Sequence, residues 1–192
     1  MRLLIGILSF PLLFGCAGRA PSRPTPATSA NPIAAGADTE VAAAVDRLRA
    51  ATRPFRTLDS AVAVGYARDV SDCLVHEHHG AMGYHHVNRS YADATVDIER
   101  PEILLYERLP DGQYRLNGVE FVVPYRAWPR DSIAPSVMGQ RLKREDNLKI
   151  WYLHVWAWTT NPDGLFADFN PVVSCAPASR KVFTPFSTDR PG

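Results

Sequence analysis

The sequence predicts an α+β fold: an N-terminal pair of helices packs on a curved antiparallel sheet of about four to five strands, and one disulfide closes the domain. Two patterns support this class. Apolar residues recur at helical spacing before residue 70, and strand-like runs separated by turn residues follow. Two cysteines, Cys73 and Cys175, lie near the ends of the strand-rich part. Helices first and strands afterwards are typical of an α+β domain.

Residues 1–15 have the features of an export signal. Met1-Arg2 is a short basic start, and the apolar run from Leu3 to Phe14 has about 12 residues, whereas a membrane span takes roughly 20. The segment ends in Leu13-Phe14-Gly15-Cys16, which resembles a lipobox. We therefore predict a lipoprotein signal peptide, with acyl groups such as palmitate on Cys16 as the membrane partner. An ordinary signal peptide followed by a chance cysteine is the alternative.

Residues 16–36 are rich in Pro, Ala and Ser, with prolines at 21, 24, 26 and 32, and they show no apolar periodicity. Such a segment buries too little surface to offset its ordering entropy, which predicts a flexible tether before a single domain over residues 37–192. The expected location is the cell envelope, lipid-anchored in a bacterial membrane and facing the periplasm or the exterior.

The net charge argues against nucleic acid as a partner. Removing Arg2 with the leader leaves 20 of the 21 basic residues, against 20 acidic ones. A neutral domain lacks the basic surface that attracts phosphate backbones or anionic headgroups.

Two helices are predicted before residue 71. Asp38 is a plausible N-cap, Pro54 ends the first helix, and the second runs from about Thr57 to Val70. Each helix carries an apolar stripe at helical spacing, formed by Val41, Val45, Leu48 and Thr52 in the first and by Leu58, Val62 and Tyr66 in the second.

The strands follow in order. Residues 81–87, 102–108, 114–125 and 148–159 have strand composition, and Pro110-Asp111-Gly112 joins the middle two as a hairpin. The last strand is apolar on both faces, which favours a central position. Residues 126–147 are predicted to form a polar excursion, and the segment with Asn161-Pro162 and Asn170-Pro171 a turn-rich loop fixed by Cys175.

Cys73 and Cys175 are predicted to form a disulfide, because exported pairs usually oxidise. The bridge would close a loop of about 100 residues, worth about 4–5 kcal/mol in the chain-entropy model. Two free thiols are the alternative, but no Cys-x-x-Cys spacing supports them.

The histidines suggest a metal site on the strands. His76-Glu77-His78-His79 is not the helical zinc-protease motif, since Gly80 follows, and it is expected to be a solvated loop. Alternation in the strand at 82–88 sends His85 to one face and Tyr84 and His86 to the other. We expect each histidine to make one hydrogen bond in the core or to face solvent, without a bound cofactor. The alternative is that His85, His154 and Glu120 converge and hold a divalent transition metal such as zinc.

Other catalytic patterns are weaker. There is no Gly-x-Ser-x-Gly elbow. A hydrolase with paired carboxylates could use Glu102, Glu107 and Glu120, but carboxylates on strands are also interpreted as solvated residues of strand edges. The sequence is rich in aromatic residues, which predict either core packing or a ligand cleft. The cleft candidates are Tyr84, Tyr106, Trp156 and Trp158.

Three segments carry a family resemblance: Gly83-Tyr84-His85-His86-Val87-Asn88, Arg100-Pro101-Glu102-Ile103-Leu104-Leu105-Tyr106, and Leu153-His154-Val155-Trp156-Ala157-Trp158, the last followed by two Asn-Pro turns. Together they resemble a family of uncharacterised exported bacterial proteins. The resemblance covers about residues 58–175, including both cysteines. It implies export and the limits of the domain, and it implies no activity.

Three functions follow as hypotheses. The first is a non-catalytic envelope lipoprotein, without a cofactor, that binds a small apolar ligand or an envelope protein through an aromatic cleft. The second is a metal-dependent enzyme that uses His85, His154 and Glu120. The third is a purely structural envelope protein with a filled core.

Overall fold

The computed structural model describes residues 32–68, 72–175 and 181–182, with side chains described over 38–67 and 72–175. The predicted signal peptide, Cys16 and the tether as far as residue 31 lie outside the described residues. Among the helices of the described part, none combines the length and apolar character needed to cross a membrane.

The first helix, α1 (Pro32–Thr52), packs its predicted stripe on the sheet. Val45, Leu48 and Thr52 are buried along one side, and the opposite side is exposed. The predicted start is wrong, because α1 begins at Pro32 rather than after Asp38. Proline is favoured in the first turn of a helix, where its missing N–H would have no partner. The helix therefore includes the last five residues of the predicted tether.

The second helix is shorter than predicted. A 3₁₀ turn (Arg53–Arg56) leads into α2 (Leu58–Ala63), which ends well before Val70. Gly65 adopts φ +102°, a left-handed conformation that terminates helices, and the Tyr66 N–H donates back to the Ala61 carbonyl at 3.1 Å. Val62 is consequently 53% exposed and does not form the predicted stripe. Residues 69–70 of the predicted helix lie outside the described residues.

The sheet has eight strands, more than the four to five predicted, and the α+β class with its antiparallel sheet is confirmed. The strands are β1 (Ala67–Arg68), β2 (Leu74–His76), β3 (Gly80–Val87), β4 (Ile103–Arg108), β5 (Tyr114–Pro124), β6 (Ser136–Val137), β7 (Gln140–Arg141), β8 (Lys143–Glu145), β9 (Ile150–Val155) and β10 (Lys181–Val182). The order in the sheet is β10-β2-β3-β4-β5-β9-β8, with β1 pairing at the far end of β3 and only the β10–β2 pair parallel among the described strands. A separate hairpin pairs β6 with β7.

Part of the predicted polar excursion is an edge strand. Residues 143–145 form β8, which pairs with Tyr152, Trp151 and Ile150 of β9. The sequence Lys-Arg-Glu has no apolar residue, so its pattern does not indicate a strand. The predicted strand at 148–159 is correspondingly shorter. It ends at Val155 because the Trp156 N–H donates to the carbonyl of Leu165 at 3.0 Å and the chain leaves the sheet.

The sheet buries both faces. On the first face, called here the helix face, the strands contribute residues such as Leu104, Phe121 and Leu153 to a core completed by Leu48 of α1. The opposite face, called here the loop face, carries a smaller cluster that includes Ile103, Leu105, Val122, Trp156 and Val173. Side chains alternate between these faces along each strand.

The segment over residues 156–175 is a turn-rich loop, as predicted, and it covers the loop face of the sheet. Asn170 pairs with Ala81 through two backbone hydrogen bonds of 3.0 and 3.1 Å, and Asn161 donates to the carbonyl of Phe169. The predicted disulfide between Cys73 and Cys175 is present and fastens the end of the loop to the start of β2.

Candidate metal centre

Three strands place His85, Glu120 and His154 on the loop face. In the antiparallel registers, Glu120 of β5 stands directly opposite His154 of β9. On the other side of β5, Glu120 pairs with Ile103 of β4. His85 of β3 pairs with Leu105, which lies two residues after Ile103 on β4. Because residues two apart share a face, the three polar side chains point to the same side. The alternation predicted for His85 therefore holds.

The side chains of His85, Glu120 and His154 converge on one point. His85 Nε2 lies 3.5 Å from Glu120 Oε2, and His154 Nε2 lies 3.9 Å from the same oxygen. One donor atom from each residue lies within 4.8 Å of the other two. Two ligands of a tetrahedral zinc ion, at bond lengths of about 2.0–2.2 Å, are about 3.3 Å apart. The observed separations approach that spacing, so small side-chain rotations would bring the three atoms onto one ion.

These donors are buried. The side chains of His85, Glu120 and His154 are 9%, 8% and 2% exposed. Within the described residues, His85 Nδ1 and His154 Nε2 make no hydrogen bond. A buried polar atom without a partner costs about 1–3 kcal/mol, so such atoms are uncommon and point to a group that they bind.

The electrostatics suit a cation. Burial, followed by repulsion from His154 and His86, lowers the pKa of His85 to about 3. The imidazole is therefore neutral at physiological pH, which is the form that binds metal. A cation bound here would be held by nitrogen lone pairs and by the oxygens of one carboxylate, without competing protons on His85.

A second carboxylate, that of Asp168, lies next to the His154 ring. Asp168 Oδ1 lies 3.6 Å from His154 Nδ1, on the side of the ring away from Glu120, and accepts a 2.6 Å hydrogen bond from Lys143 Nζ. Burial raises the pKa of Asp168, but its interactions with His154 and Lys143 outweigh burial and lower it overall. The sequence did not indicate Asp168 or Lys143, since nothing in it places the 156–175 loop against β8 and β9.

The other histidines lie elsewhere. His86 is buried on the helix face, with its ring 5.0 Å from that of Tyr106. His78 and His79 are exposed on the turn between β2 and β3, as predicted. The prediction is wrong for His76, which is the last residue of β2 and half-buried, with its ring 4.5 Å from that of His79. Among the residues that the structure describes, only His85, Glu120 and His154 form a group that could hold a metal ion.

The three predicted carboxylates have separate environments. Glu102 is buried and accepts a 2.8 Å hydrogen bond from the Val122 N–H. Glu107 is also buried, and its carboxylate accepts hydrogen bonds from both the hydroxyl and the N–H of Ser174. Since Glu102, Glu107 and Glu120 are all buried, the interpretation as solvated strand edges is wrong.

The predicted aromatic cleft is not supported. Tyr84, Tyr106 and Trp156 are each at most 2% exposed. Tyr106 and Trp158 pack on the helix face, where Trp158 Nε1 donates to Thr52 Oγ1, whereas Trp156 lies on the loop face. Tyr84, Tyr106 and Trp156 are therefore buried, Trp158 is half-buried, and Trp156 lies on a different face of the sheet from Tyr106 and Trp158.

Comparison with known proteins adds no assignment: no family model matches the chain, and neither the curated proteins nor the solved structures include a significant match. The resemblance to a family of exported bacterial proteins stays a prediction from the motifs.

Proposed function

We propose that this protein is a metal-binding protein of the bacterial envelope, with one divalent transition ion held by His85, His154 and Glu120. The observation that carries the proposal is the convergence of three buried donor atoms within 4.8 Å, among which His154 Nε2 makes no hydrogen bond in the described part of the chain. A purely structural protein would need that nitrogen to be satisfied within its core.

The donor set narrows the choice of metal. Two imidazole nitrogens and one carboxylate oxygen suit zinc, and the same set holds iron(II) in non-haem oxygenases. Calcium and magnesium prefer sites made of oxygen ligands alone. We therefore favour zinc or iron(II).

Three protein ligands also leave a coordination position for water or a substrate. That arrangement supports the second of the sequence hypotheses, a metal-dependent enzyme for hydrolysis or oxygen chemistry. A metal-binding protein without catalysis is the simpler form of the proposal, and it rests on the same three residues.

The first hypothesis, binding of an apolar ligand or a partner through an aromatic cleft, stays a prediction; we rank it below metal binding because Tyr84, Tyr106 and Trp156 are buried.

A thermal-shift titration of the mature chain, purified without a histidine tag and stripped with a chelator, tests the proposal. Zinc should raise the melting temperature, and excess chelator should reverse the rise, because a ligand that binds only the folded state stabilises it. His85→Ala and His154→Ala should abolish the shift.

His86→Ala is the matched control. It removes a buried imidazole from the same strand but on the opposite face, so it should lower the starting melting temperature while keeping the zinc-dependent rise. Equal zinc responses in the wild type and in His154→Ala would remove the proposal.

We also propose that acyl chains on Cys16 anchor the protein in the membrane. Cys16→Ser should move the protein from the detergent-extracted membrane fraction to the soluble envelope fraction. If the variant stays in the membrane fraction, the lipid anchor is wrong.

A further inference from the structure

We infer that Asp168 is a positioning residue that holds the His154 proton on Nδ1, which leaves the Nε2 lone pair directed at the candidate metal centre. The tautomer is a property of the metal-free chain, whereas the effect of Asp168 on metal affinity rests on the proposed function.

The His154 ring lies between two carboxylates. Asp168 Oδ1 is 3.6 Å from Nδ1, and Glu120 Oε2 is 3.9 Å from Nε2. A neutral imidazole carries one proton, which it can share with only one of these carboxylates. His85 Nε2 lies 3.5 Å from the Glu120 oxygen as well and competes for it on that side, whereas Nδ1 faces Asp168 alone among the described carboxylates within 4 Å.

Asp168 is held in place from several directions. Lys143 Nζ donates to its carboxylate at 2.6 Å and to the carbonyl of Phe166 at 3.3 Å. The neighbouring Ala167 carbonyl accepts a 2.7 Å hydrogen bond from Trp156 Nε1. The backbone on the N-terminal side of Asp168 is thereby tied to β8 and to the end of β9, so the carboxylate is presented to His154 by a fixed part of the loop.

The His154 ring is held as well. The Trp156 ring lies nearly parallel to it, at an interplanar angle of 11° and a centroid distance of 6.3 Å. The Tyr152 ring meets it edge-on at 5.6 Å. These neighbours limit rotation of the imidazole, so that one nitrogen faces each carboxylate.

The arrangement matches a known way of tuning metal ligands. A carboxylate that accepts the second N–H of a ligating histidine fixes its tautomer and raises its basicity, and its loss typically weakens metal binding by about 10–100-fold. Asp168 acts through His154 and does not contact the ion, because it lies on the opposite side of the ring.

Long-range ¹H–¹⁵N NMR of the metal-free mature chain tests the inference, since it distinguishes protonated from unprotonated ring nitrogens. His154 should carry its proton on Nδ1 in the wild type. Asp168→Ala should shift the population towards the Nε2-protonated form and weaken zinc binding, measured by competition with a chelator, by about 10–100-fold.

Asp163→Ala is the control, because it removes a carboxylate from the same loop that lies 3.6 Å from the exposed His79 instead. Its His154 tautomer and zinc affinity should equal those of the wild type. A wild-type His154 protonated on Nε2 would overturn the inference without need of any variant. So would a folded Asp168→Ala that keeps both the wild-type tautomer and the wild-type affinity.

The two proposals fail separately. If the wild type shows the Nδ1 proton and Asp168→Ala moves it, while zinc does not bind at all, the positioning role stands and the metal centre falls. If zinc binds through His154 and the Nδ1 proton is absent, the metal centre stands and the role of Asp168 falls.

Discussion

Buried ionisable side chains set the chemistry of this protein at the scale of the residue. Glu102 shows the effect most simply, because the residue is 2% exposed and its carboxyl group has a defined partner, the Val122 N–H. Burial raises its pKa to about 8, although the hydrogen bond from Val122 opposes the shift. The group is therefore mainly protonated in the folded protein at neutral pH, and ionised once the chain unfolds.

Replacing Glu102 by glutamine should remove a pH-dependent loss of stability. Between the unfolded pKa of 4.5 and the folded pKa of about 8, the folded state binds more protons, so stability falls as pH rises through this window. Each pH unit corresponds to about 1.4 kcal/mol, so the wild type should lose a few kcal/mol relative to Glu102→Gln between pH 5 and about 8.

Urea unfolding of both proteins in chelator, at several pH values, measures this difference. The glutamine oxygen can still accept the Val122 N–H, so the two proteins should be close in stability near pH 5 and diverge above it. If the free energy of unfolding changes with pH in the same way for both proteins across this window, Glu102 is ionised in the folded protein.

The residues of the candidate site differ in how far the sequence could reveal them. His85, Glu120 and His154 could be proposed because each is a polar residue in an apolar strand, and alternation assigns its face. The registers that bring them together depend on turn geometry and are seen only in the structure. Asp168 could not be proposed, since its position follows from the hydrogen bonds of Trp156 and Asn170 that fold the loop back on the sheet.

At the scale of the element, the helix α1 is held by its apolar stripe. Leu48 is fully buried between the helix and the sheet, and Arg47 beside it is exposed. The stripe was predictable because helical spacing repeats along the whole element. The length of α2 could not be predicted, since its end depends on the left-handed backbone at Gly65. The strand β8 could not be predicted either, because its polar edge sequence lacks an apolar pattern.

Leu48→Ala should lower the free energy of unfolding by about 2–5 kcal/mol, because it leaves a cavity at the junction of helix and sheet. Arg47→Ala, one residue earlier on the exposed side, should change it by less than about 0.5 kcal/mol. Chemical denaturation followed by circular dichroism compares the two. Similar effects at both positions would contradict the packing of α1 on the helix face.

At the scale of the whole molecule, the disulfide joins the end of the covering loop to the first strands. Cys73 and Cys175 are 102 residues apart, so almost the entire sheet lies within the closed loop. The pairing could be predicted from export and from the presence of two cysteines after Cys16. That the bridge also fastens the loop carrying Asp168 required the structure.

Removing the bridge with Cys73→Ser and Cys175→Ser together should destabilise the protein by about 4–5 kcal/mol, because the unfolded chain regains the freedom of a loop of about 100 residues. Denaturant titration measures the loss, and the wild type treated with a reductant should match the double variant. If neither treatment moves the midpoint, the bridge contributes nothing to stability.

The most direct test of the central claim is the metal content of the native protein. The mature chain should be purified from the envelope of its own cells, without a histidine tag or added metal, and analysed by elemental mass spectrometry beside His154→Ala and His86→Ala. We expect close to one zinc or iron atom per chain in the wild type and in His86→Ala, and none in His154→Ala. Equal metal content in the wild type and in His154→Ala, whether zero or stoichiometric, would contradict the account.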